Sequence, residues 1–165
     1  MKPKTIIRNG TKGGAYADEY YTPSEVIEGL PVFDVDPFAG EGTNIGRLHN
    51  WTKADDGFSK EWNPAHLYWI NGPFSEKESI IEKVIEHNNS IVLFPASSDS
   101  RWYGSLAKNA RGIFMVSGRI KFIYNGARIG NPAFASHLFA MGEAAHNALM
   151  NTKLRGLYFI NSNKV

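Results

Sequence analysis

Continuous apolar runs, each followed by polar or turn-forming residues, recur along the chain and predict buried strands. The clearest runs are "VFDVDPF", "AHLYWI" and "SIVLFPA". Three later runs also predict strands, and these are "GIFMVSGRIKFIY", "FASHLFAMG" and "GLYFINS". Most of the predicted strands are short and dominated by apolar residues, which is typical of strands that are buried on both faces of a sheet.

Helical patterns lie between and around these strands. In "SEKESIIEKVIEHNN" the apolar residues recur at helical spacing opposite a polar face. "TPSEVIEGL" predicts a short helix with Thr22 as its N-cap, Pro23 at the first helical position and Glu25 in the capping box. "SRWYGSLAKNA" predicts another helix, and "AGEGTNIGRLHN" predicts a glycine turn that runs into a helix.

This order of elements predicts an α/β protein with a mainly parallel sheet, helices on both faces and an antiparallel edge. No linker divides the chain, so we expect residues 20–165 to form a single domain. Residues 1–19 are polar, basic and rich in glycine, and we expect them to form a mobile basic arm.

Composition narrows the possible functions. The 165 residues contain no cysteine, which excludes disulfides, thiolate zinc sites and a catalytic thiol. The five histidines show no metal-ligand spacing, so no metal is expected. No apolar stretch predicts a signal peptide or a membrane span, so we expect a soluble cytoplasmic protein. A net charge of +2 neither requires nor excludes a polyanionic partner, and a solvated surface is the simpler explanation of the scattered basic residues.

Three predicted strand ends carry unusual residues, and ligands of α/β folds bind at the carboxyl ends of strands. These ends are "DPFAGEGTN", "NGPF" and "PASSDSRW". Gly40 and Gly42 would let the backbone approach a phosphate or a carboxylate, although a structural connection would also use them. The Walker lysine and the spaced glycines of a dinucleotide fold are both missing, which makes a nucleotide-binding enzyme a weak alternative.

The "NGPF" stretch suits chemistry on an exocyclic amine of adenine. That amine is a poor nucleophile because its lone pair is delocalised into the ring, and two hydrogen-bond acceptors would make it more reactive. Asn71 supplies an amide oxygen, Gly72 a backbone carbonyl, Pro73 rigidity and Phe74 an aromatic face for a flipped base. The alternative is a plain turn that closes the strand.

Six segments occur in the order expected of one family, between Tyr20 and Gly142. They are "YYTPSEV", "FDVDPFAGEGTN", "ADDGFSKEW", "YWINGPFS", "LFPASSDSRWYG" and "GRIKFIYNG" followed by "PAFASHLFAMG". The chain resembles the phage-type DNA N-6-adenine-methyltransferases, small relatives of the Dam enzymes. "NGPF" resembles their Asn-Pro-Pro-Tyr or Phe motif with the first proline replaced by Gly72, and "DPFAGEGT" resembles an S-adenosylmethionine-binding motif.

The resemblance implies three groups of functional residues. Cofactor contacts fall on Tyr21, Thr22, Pro23, Asp36, Phe38, Gly40, Gly42, Asp55, Asp56 and Phe58. The catalytic loop is Asn71, Gly72, Pro73 and Phe74. Substrate contacts fall on Ser97, Asp99, Trp102 and Arg119. Simpler roles stay open for some of them: Asp55 and Asp56 as a polar turn, Asp99 as a helix cap and Trp102 as a packing residue.

The resemblance also implies a Rossmann-like, S-adenosylmethionine-dependent enzyme that methylates N6 of adenine at specific sites in DNA. We expect a phage or prophage protein that acts in a bacterial host, as a monomer or weak homodimer without a separate target-recognition domain. Base contacts would then come from loops, the basic arm or a second subunit. The alternative is a catalytically impaired DNA-binding protein, because the catalytic loop has lost a proline.

Overall fold

The structure is a computed structural model that describes residues 18–124, 126–128 and 133–164. The predicted mobile arm, apart from Asp18 and Glu19, lies outside the described residues. The helices are α1 Ser24–Glu28, α2 Lys77–His87, α3 Arg101–Asn109 and α4 Glu143–Met150, with short 3-10 helices at Phe74–Glu76 and Ser162–Lys164. The strands are β1 Phe33–Asp36, β2 Gly46–Asn50, β3 Tyr68–Ile70, β4 Ser90–Pro95, β5 Gly112–Val116, β6 Ile123–Tyr124, β7 Ala127–Arg128, β8 Ser136–Met141 and β9 Gly156–Ile160.

Seven strands form one sheet in the order β2-β1-β3-β4-β8-β5-β9. The first four strands in this order are mutually parallel. Strand β8 is antiparallel to both β4 and β5, and β9 is antiparallel to β5. The predicted α/β class and the antiparallel edge are therefore confirmed, and the edge is three strands wide. Strands β6 and β7 pair with each other as a separate hairpin.

Two hydrophobic cores lie on opposite faces of this sheet, because neighbouring residues of each strand point to opposite sides. On β3, Ile70 belongs to one core and Trp69 to the other, and both are fully buried. Helices α2 and α3 cover the first core with Val84 and Leu106. Helices α1 and α4 cover the second, where Leu149 is among the buried residues. Helices thus lie on both faces of the sheet, as predicted.

The helix predicted within "AGEGTNIGRLHN" is wrong, because Gly46–Asn50 form β2 and pair in parallel with β1. Gly46 lies so close to the neighbouring backbone that a Cβ there would be 2.9 Å from Cα of Val35. The Asn50 side chain bonds both backbone polar groups of Gly46. Leu48 of this strand is 45% exposed. The glycine turn therefore has no helix behind it, and no helix amides for a ligand.

The predicted Thr22 cap is also wrong, and the alternative role of Asp99 as a helix cap is not found. Helix α1 follows Pro23, which is the extended N-cap residue and makes no side-chain cap, while the hydroxyl of Thr22 bonds Asn71 instead. At α3 the N-cap is Ser100, one residue after Asp99, and no side chain caps the helix.

Helix α4 has no counterpart in the sequence prediction. It begins after Gly142, whose φ of 88° lies in the left-handed region. Its Ala145, His146 and Leu149 are buried, which is helical spacing. In the part of the chain that the structure describes, neither this helix nor any other is long and apolar enough to cross a membrane.

Candidate active site

The three unusual strand ends meet at one edge of the sheet. Strands β1, β3 and β4 are parallel neighbours, so their carboxyl ends point the same way. The ring of Phe38, after β1, lies against Gly72, after β3. The ring of Phe74 in turn meets Trp102, at the start of α3 after β4. The structure thus brings these three segments together.

Asp36 ends β1 and is a buried acid, with only 4% of its surface exposed. Burial raises the pKa of its carboxyl group to about 7, and the backbone N–H of Phe38, which donates to Oδ1 at 3.1 Å, opposes this rise only in part. An acid of this kind binds a proton or a cation readily, because either one removes the cost of a buried negative charge.

The turn after β1 requires glycine at positions 40 and 42 for two different structural reasons. Gly40 has no room for a side chain because the ring of Tyr21 lies directly over it. Gly42 adopts a φ of 76°, which favours glycine, and faces open space where a side chain would be. The turn is therefore covered by Tyr21 at one glycine and open at the other.

The acidic segment "ADDGF" packs against the same turn. Gly57 lies against the backbone carbonyl of Pro37, and the ring of Phe58 is 5.0 Å from the ring of Phe38. The carboxylates of Asp55 and Asp56 are exposed and accept hydrogen bonds from their own turn, from Thr52 and Phe58 respectively. The structure thus brings Phe58 to the site, while both aspartates make the local bonds of a polar turn.

Asn71 is held by the segment that precedes α1. Its side-chain nitrogen, Nδ2, donates to the backbone carbonyl of Tyr20 and to the hydroxyl oxygen of Thr22, each at 2.9 Å. A backbone carbonyl can only accept, so the group that faces Tyr20 has to be the NH2 of the amide. The amide oxygen, Oδ1, therefore points away from these partners.

The position of Gly72 explains why it is a glycine. Its φ is not in the left-handed region, so the backbone conformation does not require glycine. A Cβ at this position would instead come within 2.6 Å of Cδ1 of Ile80 and within 2.8 Å of the ring of Phe38. A larger residue at this position requires the side chain of Ile80, on α2, and that of Phe38, on the turn after β1, to shift.

Phe74 belongs to a cluster of three rings that pack edge to face. Its centroid lies 5.3 Å from that of Trp102 and 5.8 Å from that of Phe94, and the latter two are 5.6 Å apart. Each pair is close to perpendicular, which is a favourable geometry for aromatic rings. Lys77 lies over the Phe74 ring at 5.1 Å. Trp102 thus packs against Phe74 of the "NGPF" segment.

The remaining substrate candidates lie on two connections at the same edge of the sheet. Ser97 and Asp99 lie between β4 and α3, where the Ser97 carbonyl accepts from the N–H and hydroxyl groups of Ser100. Asp99 is exposed. Arg119 is exposed on the connection that follows β5, after Gly118, which has a φ of 79°. Strand β5 runs in the same direction as β4, so both connections leave the sheet at one edge.

Three functional contacts were not apparent in the sequence. Asp18 accepts hydrogen bonds from the N–H of Ser75 at 3.1 Å and from its hydroxyl at 2.7 Å. Tyr21 exchanges two backbone hydrogen bonds of 2.9 Å with Ile123 of β6. Tyr20 supplies the carbonyl that faces Asn71. The partners are distant in the chain, and all three contacts use backbone atoms, so no residue pattern could have indicated them.

The described residues include no group of three or more His, Asp or Glu side chains that could hold a metal ion. What they do bring together is a buried acid, a glycine turn, an amide with a fixed orientation and a cluster of aromatic rings. This is an α/β protein whose candidate site lies at the carboxyl edge of a parallel sheet, at a place typical of ligand binding in such folds.

Comparison with known proteins identifies the family. Residues 11–142 match the DNA N-6-adenine-methyltransferase (Dam) family, and the chain belongs to this family. The chain is similar to a DNA N-6-adenine-methyltransferase of Escherichia phage T1, with 29% identity over 133 residues. That match covers 74% of this chain and 56% of the phage protein, so the chain spans little more than half the length of this relative. No solved structure matches the chain.

Proposed function

We propose that this protein transfers a methyl group from S-adenosylmethionine to N6 of adenine in DNA, with Asn71 as the central catalytic residue. The observation that carries the proposal is the fixed amide of Asn71, whose NH2 is held by Tyr20 and Thr22 and whose Oδ1 is turned away from them. Membership of the adenine-methyltransferase family supports the reaction class.

In the proposed reaction, Asn71 Oδ1 and the Gly72 carbonyl accept hydrogen bonds from the two hydrogens of the adenine amine. These bonds localise the lone pair on N6 and stabilise the positive charge that develops there in the transition state. N6 attacks the methyl carbon in line, the bond between that carbon and sulfur breaks, and one proton of the amine then leaves to solvent. Pro73, with φ of −61°, keeps the loop extended, and Phe74 packs against the base.

When bound, the cofactor supplies an activated methyl group on a positively charged sulfur. The residues present suit such a group. Asp36 offers a buried carboxylate for its cationic or hydroxyl groups, and the rings of Phe38 and Phe58 form an apolar wall for its adenine. Gly42 leaves open space beside the turn. Further contacts are assigned to Tyr21, Pro23, Gly40 and one of the pair Asp55 and Asp56.

We assign the chain to the Rossmann-like methyltransferase fold. The assignment is supported by the parallel strands β2, β1, β3 and β4 and by the reversed β8 between β4 and β5. DNA contacts are assigned to the two connections that carry Ser97, Asp99 and Arg119, with the target base flipped out of the duplex. The phage relative supports a phage or prophage protein that acts in the cytoplasm of a bacterial host.

A catalytically impaired DNA-binding protein is the alternative that the lost proline suggests. The packing of Gly72 argues against it. Because Phe38 and Ile80 enclose Gly72, the position of its carbonyl is constrained by neighbouring side chains instead of by a proline ring. The loop can then hold its second acceptor in place without the proline.

The test is methyl transfer from labelled cofactor to adenine-containing DNA by the wild type and Asn71→Ala. We expect Asn71→Ala to lose about 100-fold or more in kcat, as for removal of one preorganised polar group, while its affinity for the cofactor stays near the wild-type value. Asn147→Ala is the matched control, because Asn147 is exposed on α4. Near-normal transfer by Asn71→Ala would refute the catalytic assignment. A wild type that binds both substrates but transfers nothing would support the impaired alternative.

A further inference from the structure

The segment Asp18–Pro23, here called the strap, contacts the "NGPF" loop, the glycine turn and the β6–β7 hairpin. Asp18 bonds Ser75, directly after the catalytic loop, and the ring of Tyr21 lies over Gly40 of the glycine turn. The backbone of Tyr21 pairs with Ile123 of the β6–β7 hairpin. Tyr20 and Thr22, on either side of this pair, both reach Asn71.

The two bonds from the strap occupy both hydrogens of the Asn71 amide. The Tyr20 carbonyl fixes which side of the amide is NH2, since a flipped amide would set two acceptor oxygens against each other. The Thr22 hydroxyl takes the second hydrogen at 2.9 Å. With both hydrogens bonded, rotation of the amide breaks two hydrogen bonds, and the direction of Oδ1 is set.

The Thr22 side chain is separable from the rest of the strap. Backbone pairing between Tyr21 and Ile123 and the bonds from Ser75 to Asp18 hold the strap without it. Helix α1 does not use it either, because Pro23 is the N-cap and no side chain caps the helix. Loss of the hydroxyl should therefore leave the strap in place and alter the partner of Asn71.

We propose that Thr22 is a positioning residue, whose hydroxyl orients the amide of Asn71 toward the adenine amine. This inference rests on the proposed function of Asn71 and assigns Thr22 a role toward the catalytic loop in place of the cofactor contact that the resemblance implies. Thr22 does not touch the reacting atoms. It acts on the rate of transfer through the direction of Oδ1, and not on cofactor affinity.

The kinetic test compares Thr22→Val, which keeps the shape of the side chain and loses the hydroxyl, with Thr22→Ser, which keeps the hydroxyl. We expect Thr22→Val to lower kcat by about 3- to 10-fold, the effect of one ordinary hydrogen bond, with KM for the cofactor unchanged. Thr22→Ser should restore most of the rate. A normal kcat in Thr22→Val, or a raised KM for the cofactor with kcat unchanged, would overturn the inference.

A second measurement needs no turnover. In the free protein, NMR of the Asn71 side chain reports the exchange of its two amide protons with solvent. We expect slow exchange of both protons in the wild type, faster exchange in Thr22→Val and recovery in Thr22→Ser. Equal exchange in all three proteins would refute the positioning role. The exchange measurement does not depend on activity, so it stays informative if Thr22→Val is poorly active. Thermal melting would show whether poor activity results from a folding defect.

Asn71→Ala, assayed in parallel, separates this inference from the proposed function. An inactive Asn71→Ala together with a normal Thr22→Val rejects only the role of Thr22. An active Asn71→Ala rejects the catalytic assignment, and with it the positioning role.

Discussion

The ring of Phe38 lies against Gly72, so close that a Cβ atom at Gly72 would be 2.8 Å from it. This contact joins the turn after β1 to the loop after β3. The glycine turn and the "NGPF" loop, proposed to bind the cofactor and to carry catalysis, are thus packed directly on each other, and Ile80 of α2 also contacts Gly72. A substitution in one region should therefore alter the packing of the other.

Gly72→Ala should destabilise the protein by about 1 to 2 kcal/mol, because the added methyl group overpacks this contact. Urea unfolding gives the value. Ile80→Val, which removes the Cδ1 atom that would clash, should cost about 1 kcal/mol alone and offset part of the loss in the double variant. Strictly additive effects of the two changes would contradict this account of Gly72.

Asp36 should make the stability of the free protein depend on pH. Burial raises the pKa of its carboxyl group from about 3.8 to about 7. The contribution of Asp36 to the free energy of unfolding is therefore fully present below pH 4 and is lost as the pH rises through 7. Asp36→Asn should therefore gain stability relative to the wild type between pH 4 and pH 8. The gain should be at most about 4 kcal/mol, from a shift of about three pKa units.

Urea unfolding at pH 5 and pH 8 measures this difference, and Asp55→Asn is the control. Hydrogen bonds from the N–H and hydroxyl groups of Thr52 lower the pKa of Asp55. Its contribution is therefore present above the unfolded pKa and lost at low pH, which is the opposite sign. If the free energies of unfolding of Asp36→Asn and the wild type differ equally at both pH values, burial does not raise the pKa of the Asp36 carboxyl group.

Trp102 offers a test of packing against direct base stacking, which the sequence left open. Trp102→Phe should retain most of the edge-to-face contact with Phe74 and most of the methyl transfer. Trp102→Ala should lower the free energy of unfolding by about 2 kcal/mol, because the indole is half-buried, and should raise KM for DNA. If Trp102→Phe loses affinity for DNA as completely as Trp102→Ala, the indole itself contacts the base.

Strongly periodic segments allowed most of the fold to be predicted. Burial requires the apolar runs at β1, β3 and β4 and the amphipathic pattern of α2, and both kinds of pattern are visible in the sequence. The helix predicted after Gly42 is wrong, because pairing with β1 and the tight backbone contact of Gly46 favour a strand. Helix α4 was missed although Ala145 and Leu149 follow the expected period.

The candidate site was predictable in part for a similar reason. Asp36 ends β1, Gly72 and Phe74 come shortly after β3, and parallel strands bring those ends together. The role of Thr22 was not predictable, because a threonine before a proline is typical of a helix start, and only the folded chain turns its hydroxyl toward Asn71. Contacts between distant segments depend on tertiary structure, which local patterns do not record.

The hydrogen bonds between the strap and Asn71 also affect how the chain folds during synthesis on the ribosome. Tyr20 meets Asn71 across 51 residues, and Arg128 of the hairpin binds Glu25 of α1 across 103. Each contact can form only after the later of its two segments has been synthesised, and contacts between residues that are distant in the sequence form slowly. A nascent chain that has not yet released β6 and β7 lacks the partner of Tyr21. We therefore expect the amide of Asn71 to reach its final orientation among the last steps of folding, when β1, β3 and β4 are already paired.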